Sequence, residues 1–234
     1  MTTERVEIET PGGRMPTFIA RPDGGGPFPS VVVIMEAFGL VPHLEGVAER
    51  IAGEGYVVAA PDFYFRSLPD NKFGYDNLDG AIACMSKLDD GEFTGDMKAM
   101  IDYLNGRSET TGKVGVTGFC MGGRLSFLTA CVLPDAVACA APFYGGGITG
   151  HLAQADAIQC PVHLFFGEKD PYIPLDQVDE VRAKLGELGK SFELDCYPGA
   201  DHGFFCDDRE SYDEAAATDS WEKMKALFAA HLKA

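Results

Sequence analysis

The sequence has no run approaching the ~20 consecutive apolar residues that a membrane-spanning helix requires. It is also poor in positive charge: 19 Lys and Arg stand against 36 Asp and Glu, for a net charge of −17. That balance argues against a nucleic-acid footprint and offers nothing to an anionic membrane surface, so it is read as serving solubility. The seven cysteines, at 84, 120, 131, 139, 160, 196 and 206, are an odd number with no C-x-x-C pair. Neither a disulfide framework nor a zinc knuckle is suggested. There is no H-x-x-x-H spacing and no His/Cys cluster in the sequence, so no metal and no other cofactor is expected. Met1-Thr2-Thr3-Glu4-Arg5 leads into an alternating segment and lacks the basic and apolar regions of a signal peptide. The expectation is a cytoplasmic chain with reduced thiols. Repeats, low-complexity tracts and linkers are also missing, which predicts one domain over residues 1–234.

What is present is an ordinary globular composition, 46% hydrophobic and 24% charged. Arg5–Glu9 alternates polar and apolar residues and is predicted to pair with Met15–Ala20 across Pro11-Gly12-Gly13. Ser30–Met35 and Tyr56–Ala60 read as buried strands, with a helix over His43–Gly53 between them. A loop is predicted over Arg66–Asp79, then helices over Leu78–Leu88 and Thr94–Leu104. Further strands are predicted at Val114–Val116, Ala136–Ala141, Val162–Phe166 and Phe192–Tyr197. Helices are expected around His151–Ala155, Leu175–Leu188 and Tyr212–Leu232. Strands alternating with helices predict an α/β fold, a mostly parallel central sheet with helices on both faces.

The chemistry is concentrated in Gly118-Phe119-Cys120-Met121-Gly122-Gly123, which follows an apolar strand and leads into a helical segment. Strand, glycine-flanked turn and helix resemble the nucleophile elbow of α/β-hydrolases, with cysteine in the serine place. A cysteine nucleophile needs a base, and the base needs an orienting acid. Asp170 follows the strand Val162–Phe166, and His202 follows Phe192–Tyr197. Both are thereby placed on the sheet edge where open α/β sheets bind ligands. Taken singly, Cys120 reads as a small buried residue, Asp170 as a turn residue before Pro171 and His202 as a loop residue. Their order and strand context join them into a triad. Among the other histidines, His43 could cap a helix turn, His163 lies within a strand, and His151 and His231 read as surface residues. A second candidate site is Glu36-Ala37-Phe38-Gly39, immediately after a strand. A carboxylate there is costly unless partnered. The Ala37 and Met121 N–H groups are the candidate oxyanion donors.

These residues resemble the dienelactone hydrolase family of α/β-hydrolases. The matching pieces are Glu36–Gly39, Gly55-Tyr56 through Pro61-Asp62-Phe63-Tyr64, Gly118–Arg124, Phe143-Tyr144-Gly145, Gly167–Asp170 and His202-Gly203-Phe204. The resemblance runs from about residue 15 to 232. It implies a Cys120–His202–Asp170 triad that opens esters or lactones through an acyl-thioester on Cys120. It also implies that Glu36 holds the resting thiol and takes its proton when substrate binds. Family members acting on dienelactone grip its carboxylate with arginines, one shortly after the catalytic histidine and one after the Pro-Asp-x-Tyr segment. Neither has a matched arginine here; Lys72 is the only basic residue in the expected loop, and Arg66 and Arg209 are off the motif positions.

The leading expectation is therefore a cysteine-dependent hydrolase of small lactones or carboxylic esters, acting on a small molecule as a monomer or weak homodimer. Phe38, Tyr144 and Phe204, with Phe205, are candidate substrate contacts that suit an uncharged acyl or aryl group. This keeps a general arylesterase as an alternative. A non-catalytic binding or thiol-sensing protein on the same fold is the third reading, and the complete triad counts against it.

Overall fold

The computed structural model describes residues 1–67 and 72–233. The chain forms two compact units, Met1–Gly115 and Val116–Ala234. No helix among the described residues is long and apolar enough to cross a membrane.

In the first unit, β1 (Thr2–Thr10) and β2 (Gly13–Arg21) form the expected antiparallel hairpin, with Ile8 opposite Met15. Gly13 turns the chain at φ 120°, a backbone angle that disfavours any side chain. Ile8 is buried while its neighbours Glu7 and Glu9 are exposed, as the alternating sequence requires. The strand order is β1-β2-β4-β3, where β3 is Phe28–Ile34 and β4 is Val57–Pro61. β3 and β4 are parallel and almost wholly buried, which accounts for their unbroken Val/Ala/Ile runs. α1 (Pro42–Gly53) opens on a proline and buries Leu44, Val47, Ala48 and Ile51 along one stripe. α2 spans Leu78–Met85.

α3 (Asp90–Asn105) starts four residues ahead of the expected Thr94. The Asp89 carboxylate caps it, accepting the Gly91 and Glu92 N–H groups at 2.8 and 3.0 Å. Part of the predicted Arg66–Asp79 loop, residues 68–71, lies outside the described residues. Both basic residues weighed in that loop have acidic partners: Arg66 forks onto the fully buried Asp96, and Lys72 meets Glu45 at 3.3 Å.

In the second unit, which takes in β5 from Val116 on, the order is β5-β6-β7-β8. β5 spans Thr110–Phe119, β6 Cys139–Phe143, β7 Val162–Gly167 and β8 Phe192–Tyr197. β6, β7 and β8 run parallel. β6 begins later than the expected Ala136, because Ala136 N–H closes a turn onto Leu133 O after α4 (Met121–Val132). A 3-10 helix covers Ile148–Ala157, α5 covers Leu175–Glu187, and α6 (Glu214–Leu232) is capped by Asp213. Phe119, Phe143, Phe165 and Phe205 stack through the core, with ring centroids 4.5–5.2 Å apart. The chain leaves β5 at Cys120, β6 at Tyr144, β7 at Glu168, two residues before Asp170, and β8 at Pro198, four before His202. Parallel strands thus deliver four chemically distinct side chains to their carboxyl ends.

Candidate active site

Cys120 sits at φ 56° and ψ −117°, a left-handed conformation that a residue with a Cβ rarely adopts. Main-chain bonds hold it there. Its N–H donates to Phe143 O at 3.1 Å, and its carbonyl accepts from Gly123 and Arg124 N–H at 3.0 and 3.2 Å. The strain falls on the cysteine itself, and Gly123 serves a different end. A Cβ built on Gly123 would overlap Phe143 O, and one on Gly145 would lie 2.6 Å from Arg124 N. The two glycines let the start of α4 press against the chain leaving β6, backbone on backbone. Tyr144, next along that chain, also has positive φ, at 34°, and donates its N–H to Phe165 O at 2.7 Å. Strained non-glycine residues of this kind concentrate at functional sites.

His202 is buried at 7% exposure, with Nδ1 2.7 Å from Asp170 Oδ2. The other Asp170 oxygen accepts the Tyr172 N–H at 2.8 Å, so both carboxylate oxygens are engaged. The half-buried Cys120 sulfur acts on the same imidazole. Burial works against charge on the ring. The Cys120 sulfur and the Asp170 carboxylate outweigh it and raise the His202 pKa from 6.5 to about 10. Because the folded value lies above the unfolded one, the resulting stabilisation is complete below about pH 6.5. It is lost as pH rises through about 10. In an NMR titration of the His202 ring, the wild-type midpoint is expected near pH 10. Cys120→Ala should move it down toward the ordinary imidazole value, and an unmoved midpoint would contradict the pairing.

The other thiols with resolved shifts are poor nucleophiles. Burial pushes Cys131 up to about 12 and Cys160 to about 11, and raises Cys139, Cys84 and Cys196 as well.

The second unit therefore gathers Cys120, His202, Asp170, Met121, Tyr144 and Phe204. Met121 is the first residue of α4, at the positive end of the helix. The Tyr144 ring meets His202 edge-on at 5.1 Å, and Phe204 packs behind it at 5.2 Å. Both rings are fully buried. Glu36, Ala37 and Phe38 lie in the first unit, in a tight turn after β3 where Gly39 N–H bonds Glu36 O at 2.9 Å. Glu36 is 1% exposed, and the Tyr75 hydroxyl stands 3.5 Å from its Oε1. The Tyr64 hydroxyl donates to Ala37 O at 3.0 Å, and the Phe38 and Tyr75 rings meet edge-on.

Two readings of the sequence need revision or addition. His151, expected at the surface, is buried, with Nε2 2.9 Å from an Arg124 guanidinium nitrogen. Tyr172 lies on no motif of the sequence, yet its N–H holds Asp170 and its ring flanks His202 at 5.1 Å. Its only trace in the sequence is adjacency to Asp170-Pro171. Arg209, off the family position in sequence, lies with its guanidinium against Gly203, the residue after His202.

A strained cysteine between strand and helix, with acid and base on the loops after later strands, defines an α/β-hydrolase. The comparisons agree in fold. A crystal structure described as "Putative Dienelactone Hydrolase" from Klebsiella pneumoniae superposes with a TM-score of 0.90 at 32% identity, covering 97% of this chain and 98% of that one. A dienelactone hydrolase-like promiscuous phosphotriesterase from metagenomic libraries gives 0.86 at 25% identity, with 98% of each chain covered. A Synechocystis protein named "Putative carboxymethylenebutenolidase" is 36% identical over 99% of this chain and 98% of its own length. The family model for the dienelactone hydrolase family matches residues 15–232. The chain belongs to the dienelactone hydrolase family.

Proposed function

We propose that the protein hydrolyses small lactones or carboxylic esters by nucleophilic catalysis at Cys120. The observation that carries this reading is the His202 imidazole, bonded to Asp170 and raised in pKa by the Cys120 sulfur on its strained turn. A thiolate paired with a charged imidazole is ready to attack an acyl carbonyl. As the S–C bond forms, negative charge develops on the carbonyl oxygen and is met by the Met121 N–H at the start of α4. The C–O bond then breaks and His202 gives its proton to the leaving oxygen. In the second half, His202 takes a proton from water, whose oxygen attacks the thioester and restores Cys120. Asp170 fixes the ring and its tautomer throughout. On the family resemblance, Ala37 N–H is the second oxyanion donor, and Glu36 takes the proton of the resting Cys120 thiol to form that thiolate and returns it when the free thiol is restored.

A 4-nitrophenyl ester mixed with the protein and quenched in acid should leave one acyl group on the peptide containing Cys120, seen by mass spectrometry. Turnover with no acyl group on that peptide would overturn the thioester route.

One observation favours the neutral-ester variant of this reading. Arg66, a candidate carboxylate grip, is already committed to Asp96. Comparing a carboxylate-bearing lactone with its methyl ester separates the two substrate classes.

A further inference from the structure

The segment after β7, Gly167 to Pro174, is held closely along its main chain. Glu168 N–H bonds Tyr197 O at 3.0 Å, Lys169 N–H bonds Ala200 O at 2.9 Å, and Tyr172 N–H bonds Asp170 at 2.8 Å. Ile173 is buried, and Pro174 leads directly into α5. Between these anchors the Tyr172 side chain is 58% exposed, more than any other exposed large hydrophobic among the described residues. Single exposed apolar residues are common and need no explanation. Tyr172 differs because its ring stands against the catalytic imidazole, at 5.1 Å and 81°, on a backbone tied to the triad acid.

Among the described residues, two aromatic rings flank His202, and they are unlike. Tyr144 is fully buried and can touch nothing further, whereas Tyr172 is open to solvent. Nδ1 of the imidazole is committed to Asp170, so a proton passed to a leaving oxygen must come from Nε2. Whatever is bonded to that oxygen therefore lies beside the His202 ring when the C–O bond breaks. Of the two flanking rings, only Tyr172 presents surface to it.

We propose that Tyr172 is a specificity-determining residue that contacts the departing alcohol portion of the substrate and favours aromatic or flat unsaturated leaving groups such as phenols and enols. The inference rests on the acyl-thioester reading above. The leaving oxygen departs with a proton from His202, and its substituent gains an edge or face contact with the tyrosine ring. The acyl group stays on Cys120, so deacylation is outside the reach of this contact.

The test uses two esters with the same acid, phenyl butyrate and ethyl butyrate. Tyr172→Ala should lower kcat/KM for the phenyl ester about three- to tenfold, the scale of one aromatic contact, and the ethyl ester by less than about twofold. Tyr172→Phe should restore the wild-type ratio. Equal losses on both esters would mean that Tyr172 only positions His202 and would overturn the proposal, as would no loss on either. Cys120→Ala is run alongside. Turnover that persists in that variant, or a wild type inactive on both esters, defeats the thioester reading and this inference with it.

Discussion

Cys120→Ala is expected to lower kcat/KM for any ester the protein turns over by a factor on the order of 10⁴ or more. The substitution deletes one sulfur atom and keeps the Cβ, so the steric demand at φ 56° is unchanged. The three main-chain hydrogen bonds that fix the turn involve no side-chain atom of residue 120 and survive. Activity should vanish while the near-ultraviolet circular dichroism, dominated by the aromatic core, stays that of the wild type. Activity within about tenfold of wild type would place the nucleophile elsewhere, because losing a nucleophile costs far more than that.

The second large effect is expected at Asp170→Asn, a loss of about 10²–10⁴ in kcat. The reason lies in the geometry of the two carboxylate oxygens. One accepts the His202 Nδ1–H and the other accepts the Tyr172 N–H. An asparagine has a single acceptor oxygen and must turn its NH₂ toward one of these two donors. Turned toward His202, it forces the proton onto Nε2, where the ring can no longer accept a proton from water. Turned toward Tyr172, it sets two donors against each other and loosens the segment that carries the acid. Either outcome also removes the negative charge that helps to raise the imidazole pKa. The comparison of kcat with the His202 NMR titration should show both falling together. A near-normal kcat in the asparagine variant would show that His202 is oriented by something other than Asp170.

The residues of the candidate site are legible in the sequence because their signals are local. A glycine-flanked cysteine after an apolar run, and polar residues a few positions past later strands, are visible without coordinates. The hairpin at Gly13 and the α1 stripe were legible for the same reason. Boundaries set by a single side chain were not: the Asp89 cap moves the start of α3 by four residues. The start of β6 was obscured by a turn closing on Leu133. Features produced by tertiary packing left no local signal. His151 looks like a surface histidine until Arg124 is brought to it from a distant helix. Tyr172 looks like any loop tyrosine until β8 delivers His202 beside it. The glycine-flanked turn is visible in the sequence, but the partner that Gly123 makes room for, the chain around Gly145, comes against it only in the fold.

That backbone-on-backbone seat has a practical meaning for altering the protein. Cys120 is located by peptide groups of residues 120, 123, 124 and 143, and peptide groups are common to every amino acid. The exposed Tyr172 ring beside His202 forms no part of that seat. Varying the residue at position 172 would therefore change what stands beside His202 while the Cys120 sulfur stays in register, which makes this position a natural starting point for directed evolution.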